Sequence, residues 1–279
     1  MSNDEFPHDL PVGIAPGVRR VTAANPSPFT GPGTNGYVLG DPAWAIIDPG
    51  PASEAHLQAL LAAAPRARWC FVTHTHADHS PLAMRYCAHS GAIPVGVAPP
   101  GDGRQDLSFN PQVSPRRDQL FDAGDGRTLL AIDTPGHASN HVCYLLQGAG
   151  VLFSGDHILD SVSPVILSPD GNMAHYLDSL RRLKRYPLQS IAPGHGRLQS
   201  NPFAVIDGLI AHRLQREARV LSELRNLSSA TTEELLPRVY DDVKPEVMGL
   251  ARHSLEAHLI KITDEGSAER HGAVWHARS

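Results

Sequence analysis

The sequence predicts an α/β protein in which two strand-rich halves pack sheet to sheet between helices, an αββα sandwich, with a smaller, mostly helical domain after them. Three observations carry this reading. Apolar runs of strand length come in two sets, each interrupted or followed by an amphipathic helical stretch. Beyond Phe203 the pattern changes to apolar residues spaced four apart, from Ile206 to Leu221. Near the end of the chain, Gly266 and Gly272 flank two short strand candidates. With 279 residues, 41% of them apolar, the chain can bury the core of one large domain or two unequal ones.

Taken in order, Tyr37-Val38-Leu39 and Trp44-Ala45-Ile46-Ile47 read as paired strands joined by the turn Gly40-Asp41-Pro42. Ser53 caps a helix that aligns Leu57, Leu60, Leu61 and Ala64 and stops at Pro65. Trp69 to Thr73 is a strand, and a helix containing Leu82, Met84 and Cys87 follows. Pro94 to Val97 is a short strand, and residues 98–118 read as a long polar loop. The repeated tetrad Gly-Asp-Gly-Arg at 101–104 and 124–127 reads as two turns, because neither copy has the strand–loop–helix setting of a phosphate cradle. Thr128 to Ile132, Val142 to Leu146 and Val151 to Phe153 are three further strands. Met173 to Lys184 is an amphipathic helix with Met173, Leu177, Leu180 and Leu183 inward, and Ser190 to Ala192 is a last short strand.

The expected domains are 1–202, a linker helix over 203–226 and a small domain over 227–279. In the linker, Ile206, Ile210, Leu214, Ala218 and Leu221 form the apolar stripe. Thr232 caps a short helix bearing Leu235, Leu236 and Val239. Pro245 opens another helix with Val247, Leu250, Leu259 and Ile262. Helices followed by a β-hairpin give the outline of a winged helix.

Net charge is −5 and the isoelectric point near 6.3, which excludes a generally basic nucleic-acid surface. The start of the chain, Met1 to Phe6, is acidic and has no apolar signal core, and no apolar run reaches membrane-spanning length, so the expected location is cytoplasmic. Cys70, Cys87 and Cys143 lack metal-type spacing and read as reduced, packed thiols.

The chemistry concentrates in His74-Thr75-His76-Ala77-Asp78-His79, directly after a strand. Imidazole and carboxylate suit borderline divalent ions such as Zn²⁺, and a strand ending in a turn can aim alternate side chains at one point. Three more segments pair a turn with a metal-competent residue at a strand end: Asp133-Thr134-Pro135-Gly136-His137, Phe153-Ser154-Gly155-Asp156 and Ile191-Ala192-Pro193-Gly194-His195-Gly196. Gly and Pro let the backbone turn sharply and approach an ion closely.

With these residues in this order, the chain resembles the metallo-β-lactamase fold superfamily, among its dinuclear hydrolases with a bridging aspartate. The resemblance implies one ion on His74, His76 and His137, a second on Asp78, His79 and His195, and Asp156 bridging both. It implies two Zn²⁺, with Fe or Mn as alternative metals, and hydrolysis of an ester-like bond by a metal-bridging hydroxide that Asp78 orients. Asp78 and Asp156 are therefore the catalytic candidates. Asp48, in Ile46-Ile47-Asp48-Pro49-Gly50, matches the family's Asp-x-Gly turn and is expected to support a ligand imidazole. His141, four residues after His137, reads either as a substrate contact or proton donor or as a strand-edge histidine. His157 is left unassigned, and His175, His212, His253 and His258 fall on predicted helices as surface or packing residues. Asn25-Pro26-Ser27-Pro28-Phe29 with Gly33-Thr34-Asn35, and the stretch Ile206 to Leu224, are similar to a subgroup with a C-terminal winged helix, the β-lactamase-like protein 2 type.

Several substrates remain open because the metal set does not discriminate among a thioester, a lactone and a phosphodiester. True β-lactamases by resemblance mostly lack the bridging aspartate. An endoribonuclease acting on single-stranded RNA is the main rival. Residues 201–279 carry ten Lys and Arg against twelve Asp and Glu, which argues against a winged helix that grips duplex nucleic acid. A mononuclear iron enzyme of the persulfide dioxygenase kind shares the His-x-His-Ala-Asp-His segment, and a DNA-binding regulator built on the winged helix is a further reading. The expected partner is a small-molecule or short anionic substrate, which Arg104, Arg116 and Arg117 would attract. The small domain would pack beside the pocket or serve as a homodimer surface, and no membrane is expected.

Overall fold

The computed structural model describes residues 5–101, 105–123 and 126–278. Parts of both Gly-Asp-Gly-Arg turns, and with them Arg104, lie outside the described residues. By its contacts the chain divides into two compact units. The first comprises the described parts of 1–134, 140–162 and 186–202, and the second those of 135–139, 163–185 and 203–279.

The first unit holds two sheets. One runs in the order β1 (Pro11–Ala15), β2 (Val18–Thr22), β3 (Asn35–Gly40), β4 (Ala43–Ile47), β5 (Trp69–Phe71) and β6 (Ile93–Val95). It is antiparallel as far as β4 and parallel from β4 to β6. Parallel neighbours need a crossover, and α1 (Glu54–Ala63) and α2 (Ala83–Ser90) supply the two. The other sheet contains β7 (Gln119–Asp122), β8 (Thr128–Asp133), β9 (Val142–Leu146), β10 (Val151–Gly155) and β11 (Ser190–Pro193), in the order β11-β10-β9-β8-β7. Only β10 and β11 are parallel in it.

Strand alternation divides the apolar residues between two cores. Tyr37, Leu39, Ala45, Ile47 and Phe71 face the second sheet and pack with Phe121, Leu129, Ala131, Tyr144 and Phe153. Their intervening neighbours Val38, Ile46 and Cys70 point the other way, against Leu57 and Leu60 of α1 and Leu82 and Tyr86 beside α2. Phe71 stands at the centre, with ring centroids 5.1 Å from Phe121 and 4.9 Å from Tyr144. Truncating such a ring costs roughly 3–5 kcal/mol.

The second unit contains α3 (Met173–Leu183), α4 (Pro202–Leu227), α5 (Thr232–Val239), a single 3₁₀ turn (Pro245–Val247) and α6 (Met248–Asp264). Its three-stranded sheet runs in the order β12 (Ser229–Thr231), β14 (Val274–Ala277), β13 (Ala268–His271). Leu235, Val239, Leu255, Leu259, Ile262 and Trp275 form its core with Val220 and Leu224 of α4.

Several elements depart from the sequence reading. β1, β2 and β7 were not expected. β1 contains Pro11 and Gly13, and β2 contains two arginines, so neither shows a strand's usual composition. Arg20 is nonetheless buried, with its guanidinium 4.1 Å above the Phe6 ring and donating to the Glu5 carbonyl at 2.7 Å. Along α4 the buried positions are Ile206, Arg213, Val220 and Leu224, whereas Leu214 is 39% exposed. A four-residue period drifts about 40° per step from the true helical repeat, so a stripe read that way leaves the buried face. Pro245 opens a 3₁₀ turn rather than the helix itself, and Val247 at its end is 43% exposed. The cap of α5 is Thr231, one residue before the expected Thr232. Its hydroxyl accepts from Glu234 N, and the Glu234 carboxylate reaches back to Thr231 N at 2.8 Å. Phe109, within the stretch read as a polar loop, is buried in the α1–α2 core.

Candidate metal centre

The parallel strand pairs set the site. β4 and β5 run side by side, so the turns after them, bearing Asp48 and the 74–79 segment, emerge at one edge of the first sheet. β10 and β11 do the same in the second sheet for Asp156 and His195. Gly50 N donates to the His79 carbonyl and Gly194 N to the Gly155 carbonyl, each bond tying one turn to its neighbour.

Six of the seven expected ligand residues fall in the first unit, and their side chains converge there. One donor group contains His74, His76 and Asp156, and another contains Asp78, His79 and His195. Within each group the nitrogens and oxygens lie within 4.8 Å of one another. His79 Nε2 is 3.4 Å from Asp78 Oδ2 and 3.3 Å from Asp156 Oδ1. His195 Nε2 is 3.2 Å and 3.3 Å from the same two oxygens. His74 Nε2 and His76 Nδ1 face each other at 2.9 Å. His137 belongs to the 135–139 segment of the second unit, where its Nδ1 is 2.8 Å from the Val165 carbonyl.

The ring nitrogen facing away from each group has its own partner. His79 Nδ1 lies 2.9 Å from Asp48 Oδ2, His195 Nδ1 lies 3.2 Å from the Gly33 carbonyl, and His74 Nδ1 lies 3.0 Å from Thr73 Oγ1. Thr73 Oγ1 itself donates to Asp48, so it accepts from His74. An acceptor at Nδ1 keeps the proton there and leaves the Nε2 lone pair for an ion. His137 follows the same rule through Val165, while His76 presents Nδ1 instead.

Asp48, expected to support an imidazole, lies against His79. Its buried carboxylate also accepts from Thr73 N at 2.7 Å, and its backbone φ is +49°, a left-handed conformation that aspartate tolerates better than most residues. His141 is buried at 1% exposure, with Nδ1 2.9 Å from Thr134 Oγ1 and its ring stacked 5.1 Å from that of His74. It sits behind the His74 ring rather than at a solvent-facing surface. His157 is also buried, with its ring 5.5 Å from that of His141. Arg117 is clasped by Asp133 through two bonds, at 2.9 and 3.0 Å, which engages the charge expected to attract an anion.

Thr34 and Thr75, quoted in the motifs without a role of their own, and Gly194, whose turn is expected to bring the backbone close to an ion, complete the frame. Thr34 Oγ1 donates to Asp78 Oδ2 at 2.9 Å. Thr75, between His74 and His76, is buried and bonds to Gln105 and Asn140. Gly194 is required by close approach, because a Cβ there would lie 2.4 Å from Asp156 Oδ1 and 2.7 Å from His79 Cε1.

The electrostatics call for a cation. Burial alone would lower the pKa of His79, but Asp78, Asp156 and Asp48 outweigh it and push the imidazole well above its ordinary value. Burial likewise opposes His195, which Asp156 and Asp78 push up to about 9. Burial would raise Asp156, yet His195 and His79 hold it well below the usual carboxylate range. Asp78 is held down in the same way, against burial, by His79 and His195. His74 goes the other way: burial, then its neighbours His79 and His76, drive it well below normal. The carboxylates thus pull positive charge onto the imidazoles around them. A divalent cation at the same point would supply that charge and let every imidazole serve as a neutral donor. His79 Nε2 is buried and makes no hydrogen bond, as a ligand nitrogen would. The donor set fits a metal ion.

The sequence pattern described as the Metallo-beta-lactamase superfamily matches residues 29–195, and the Beta-lactamase associated winged helix domain matches residues 231–275. The chain is 29% identical over 275 residues to the Beta-lactamase-like protein 2 homolog of Caenorhabditis elegans, spanning 92% of this chain and 87% of that protein. It is 28% identical over 256 residues to the Atrochrysone carboxyl ACP thioesterase of Aspergillus fumigatus, spanning 84% and 76% respectively. A solved Beta-lactamase domain protein from Burkholderia ambifaria shares the fold, with a TM-score of 0.81 at 22% identity over 98% of this chain and 94% of that chain. Among the described residues no helix is long and apolar enough to cross a membrane.

Proposed function

The chain belongs to the metallo-β-lactamase superfamily, and from that premise we propose that it is a dizinc hydrolase of ester-like bonds, with a thioester as the leading substrate class. The observation that carries this is the convergence of imidazole and carboxylate donors at the ends of two parallel strand pairs, with the outward ring nitrogens already engaged. In this reading His74, His76 and His137 would hold one ion, Asp78, His79 and His195 would hold the other, and Asp156 would serve both. The matched regions favour a catalytic domain over 1–202, a linker helix over 203–226 and a winged helix over 227–279.

Two bound divalent cations would supply the charge that makes water acidic enough to attack at neutral pH and that stabilises the leaving group. The chain's own residues do the rest. Asp78, half-buried and fixed by Thr34 Oγ1, is placed to orient the attacking water. Asp48 and the Gly33 carbonyl hold the His79 and His195 rings against rotation. No protein nucleophile is required. A thioester is placed first because the Aspergillus fumigatus relative is named for thioester cleavage, and a lactone or phosphodiester would use the same groups.

The test is a hydrolysis screen of zinc-loaded protein against thioesters, lactones, single-stranded RNA and β-lactams, with metal content measured alongside. Asp156→Ala and His76→Ala should lower bound zinc and reduce turnover to background. Full turnover by metal-free protein would overturn the reading.

A further inference from the structure

We propose that Asn35 is a positioning residue for His195, holding the Pro193–Gly196 turn in the shape that aims the imidazole at the second ion. This rests on the two-ion reading above. Asn35 opens β3, is fully buried, and lies far in sequence from the turn it holds.

Its side-chain nitrogen donates to the carbonyls of both Pro193 and Gly196, each at 3.0 Å. One amide group thereby closes the two ends of the turn that carries His195. Its backbone N–H adds a bond to the Gly194 carbonyl at 2.8 Å. Thr22 Oγ1 donates to Asn35 Oδ1 at 3.0 Å, and the two carbonyls set the orientation of the amide. A flipped amide would put its oxygen against two carbonyl oxygens, neither of which can donate, whereas the Thr22 hydroxyl can serve either orientation. Asparagine alone among small side chains offers two hydrogens on one nitrogen and an acceptor beside them.

The turn is also braced from outside, with Gly194 N donating to the Gly155 carbonyl at 2.8 Å and Arg197 N to Asp160 Oδ2 at 3.0 Å, but neither bond joins its two ends. Gly194 must stay without a side chain, since a Cβ would strike Asp156 and His79, and Gly196 has φ +87°, outside the range most residues hold. Tyr37 Oη donates to the Pro193 carbonyl at 2.6 Å, but nothing from Tyr37 reaches the Gly196 end. The neighbour Thr34 forms a β-bridge with His195 and also bonds Asp78, so the start of β3 supports two ligands of the same ion. The inference therefore predicts a selective effect.

The experiment compares wild-type protein with Asn35→Ala and with Asn35→Leu, which keeps the volume and removes the donors, and uses Tyr37→Phe as a comparator. Stepwise zinc binding to metal-free protein is followed by competition with a chromophoric chelator. Both Asn35 variants should bind one ion normally and the other about 10- to 100-fold more weakly, while Tyr37→Phe loses much less. Hydrogen exchange of the metal-free proteins gives a readout independent of zinc: amides at 194–197 should exchange faster in the Asn35 variants, and those at 74–79 should not. Equal weakening of both ions, or normal binding with only a lowered melting temperature, would overturn the proposal. Were the wild-type protein to bind a single ion, the two-ion reading would fail, and unchanged exchange at 194–197 would separately sink the role of Asn35.

Discussion

Asp48 Oδ2 lies 2.9 Å from His79 Nδ1, and the same carboxylate takes both the backbone N–H and the hydroxyl of Thr73. One buried side chain thus joins the end of β4 to the end of β5 and orients a metal-competent ring between them.

Asp48→Asn separates these duties. Asparagine accepts the left-handed backbone but loses the charge and one acceptor. Zinc affinity should fall by about 10- to 100-fold with the fold retained. Asp48→Ala should add a loss of stability of roughly 2–4 kcal/mol, from an unfavourable φ and unmet Thr73 donors. Chelator competition and urea unfolding of the metal-free proteins measure the two effects. An Asp48→Asn protein with wild-type zinc affinity would refute the assignment.

Gly194→Ala introduces a methyl where Asp156 Oδ1 would be 2.4 Å away. Either the turn or the carboxylate must move. A displacement of this size at a reacting centre costs about 100-fold in kcat/KM. The check is kcat/KM on whichever ester-like substrate the screen identifies, with circular dichroism confirming the fold. A variant within threefold of wild type would show that the turn tolerates the methyl.

In the second unit, His258 is buried with Nδ1 3.3 Å from Glu217 Oε2, and Lys261 Nζ donates to the same carboxylate at 2.7 Å. Burial lowers the pKa of His258 below its ordinary 6.5 despite Glu217. Burial would raise Glu217, but His258 and Lys261 outweigh it and lower the carboxyl below its ordinary 4.5. For both groups the unfolded chain binds protons first. Their contribution to stability is therefore present above the unfolded pKa and is lost as pH falls through the folded one. The winged-helix unit should lose stability as pH falls below 6.5, through His258, and again below 4.5, through Glu217, and His258→Leu should flatten the upper part of that slope. Thermal melting followed by Trp275 fluorescence, as the difference between wild type and variant, tests the sign. A steeper slope in the variant would contradict it.

The residues that carry chemistry were legible in the sequence to different degrees. The 74–79 cluster was plain because its side chains are contiguous and follow a strand, so a local pattern already implies convergence. Asp156 and His195 could be read because Gly and Pro mark the turns that let a backbone approach an ion. Asn35, Thr34 and Thr73 carried no such mark. Each bonds to a partner remote in sequence or to a side chain whose direction only the sheets define, and a buried polar residue looks like any other until its partner is placed. The α4 stripe shows the same limit from another side. A four-residue spacing named Leu214 as inward, while packing against the second unit's core selected Val220 and Leu224 and left Leu214 exposed.

By itself the sequence determined the strand alternation, the helix start at Ser53, the turn that Pro245 opens ahead of α6, and the residue types available to bind metal, because these depend on local periodicity, backbone restriction and donor chemistry. Tertiary structure alone decided which nitrogen each imidazole of the first unit presents, which carboxylates push His79 and His195 toward protonation, and why residue 194 has no room for a side chain. Those properties arise from distances between segments brought together by two parallel strand pairs, and a distance across a fold is not a property of any one stretch of chain.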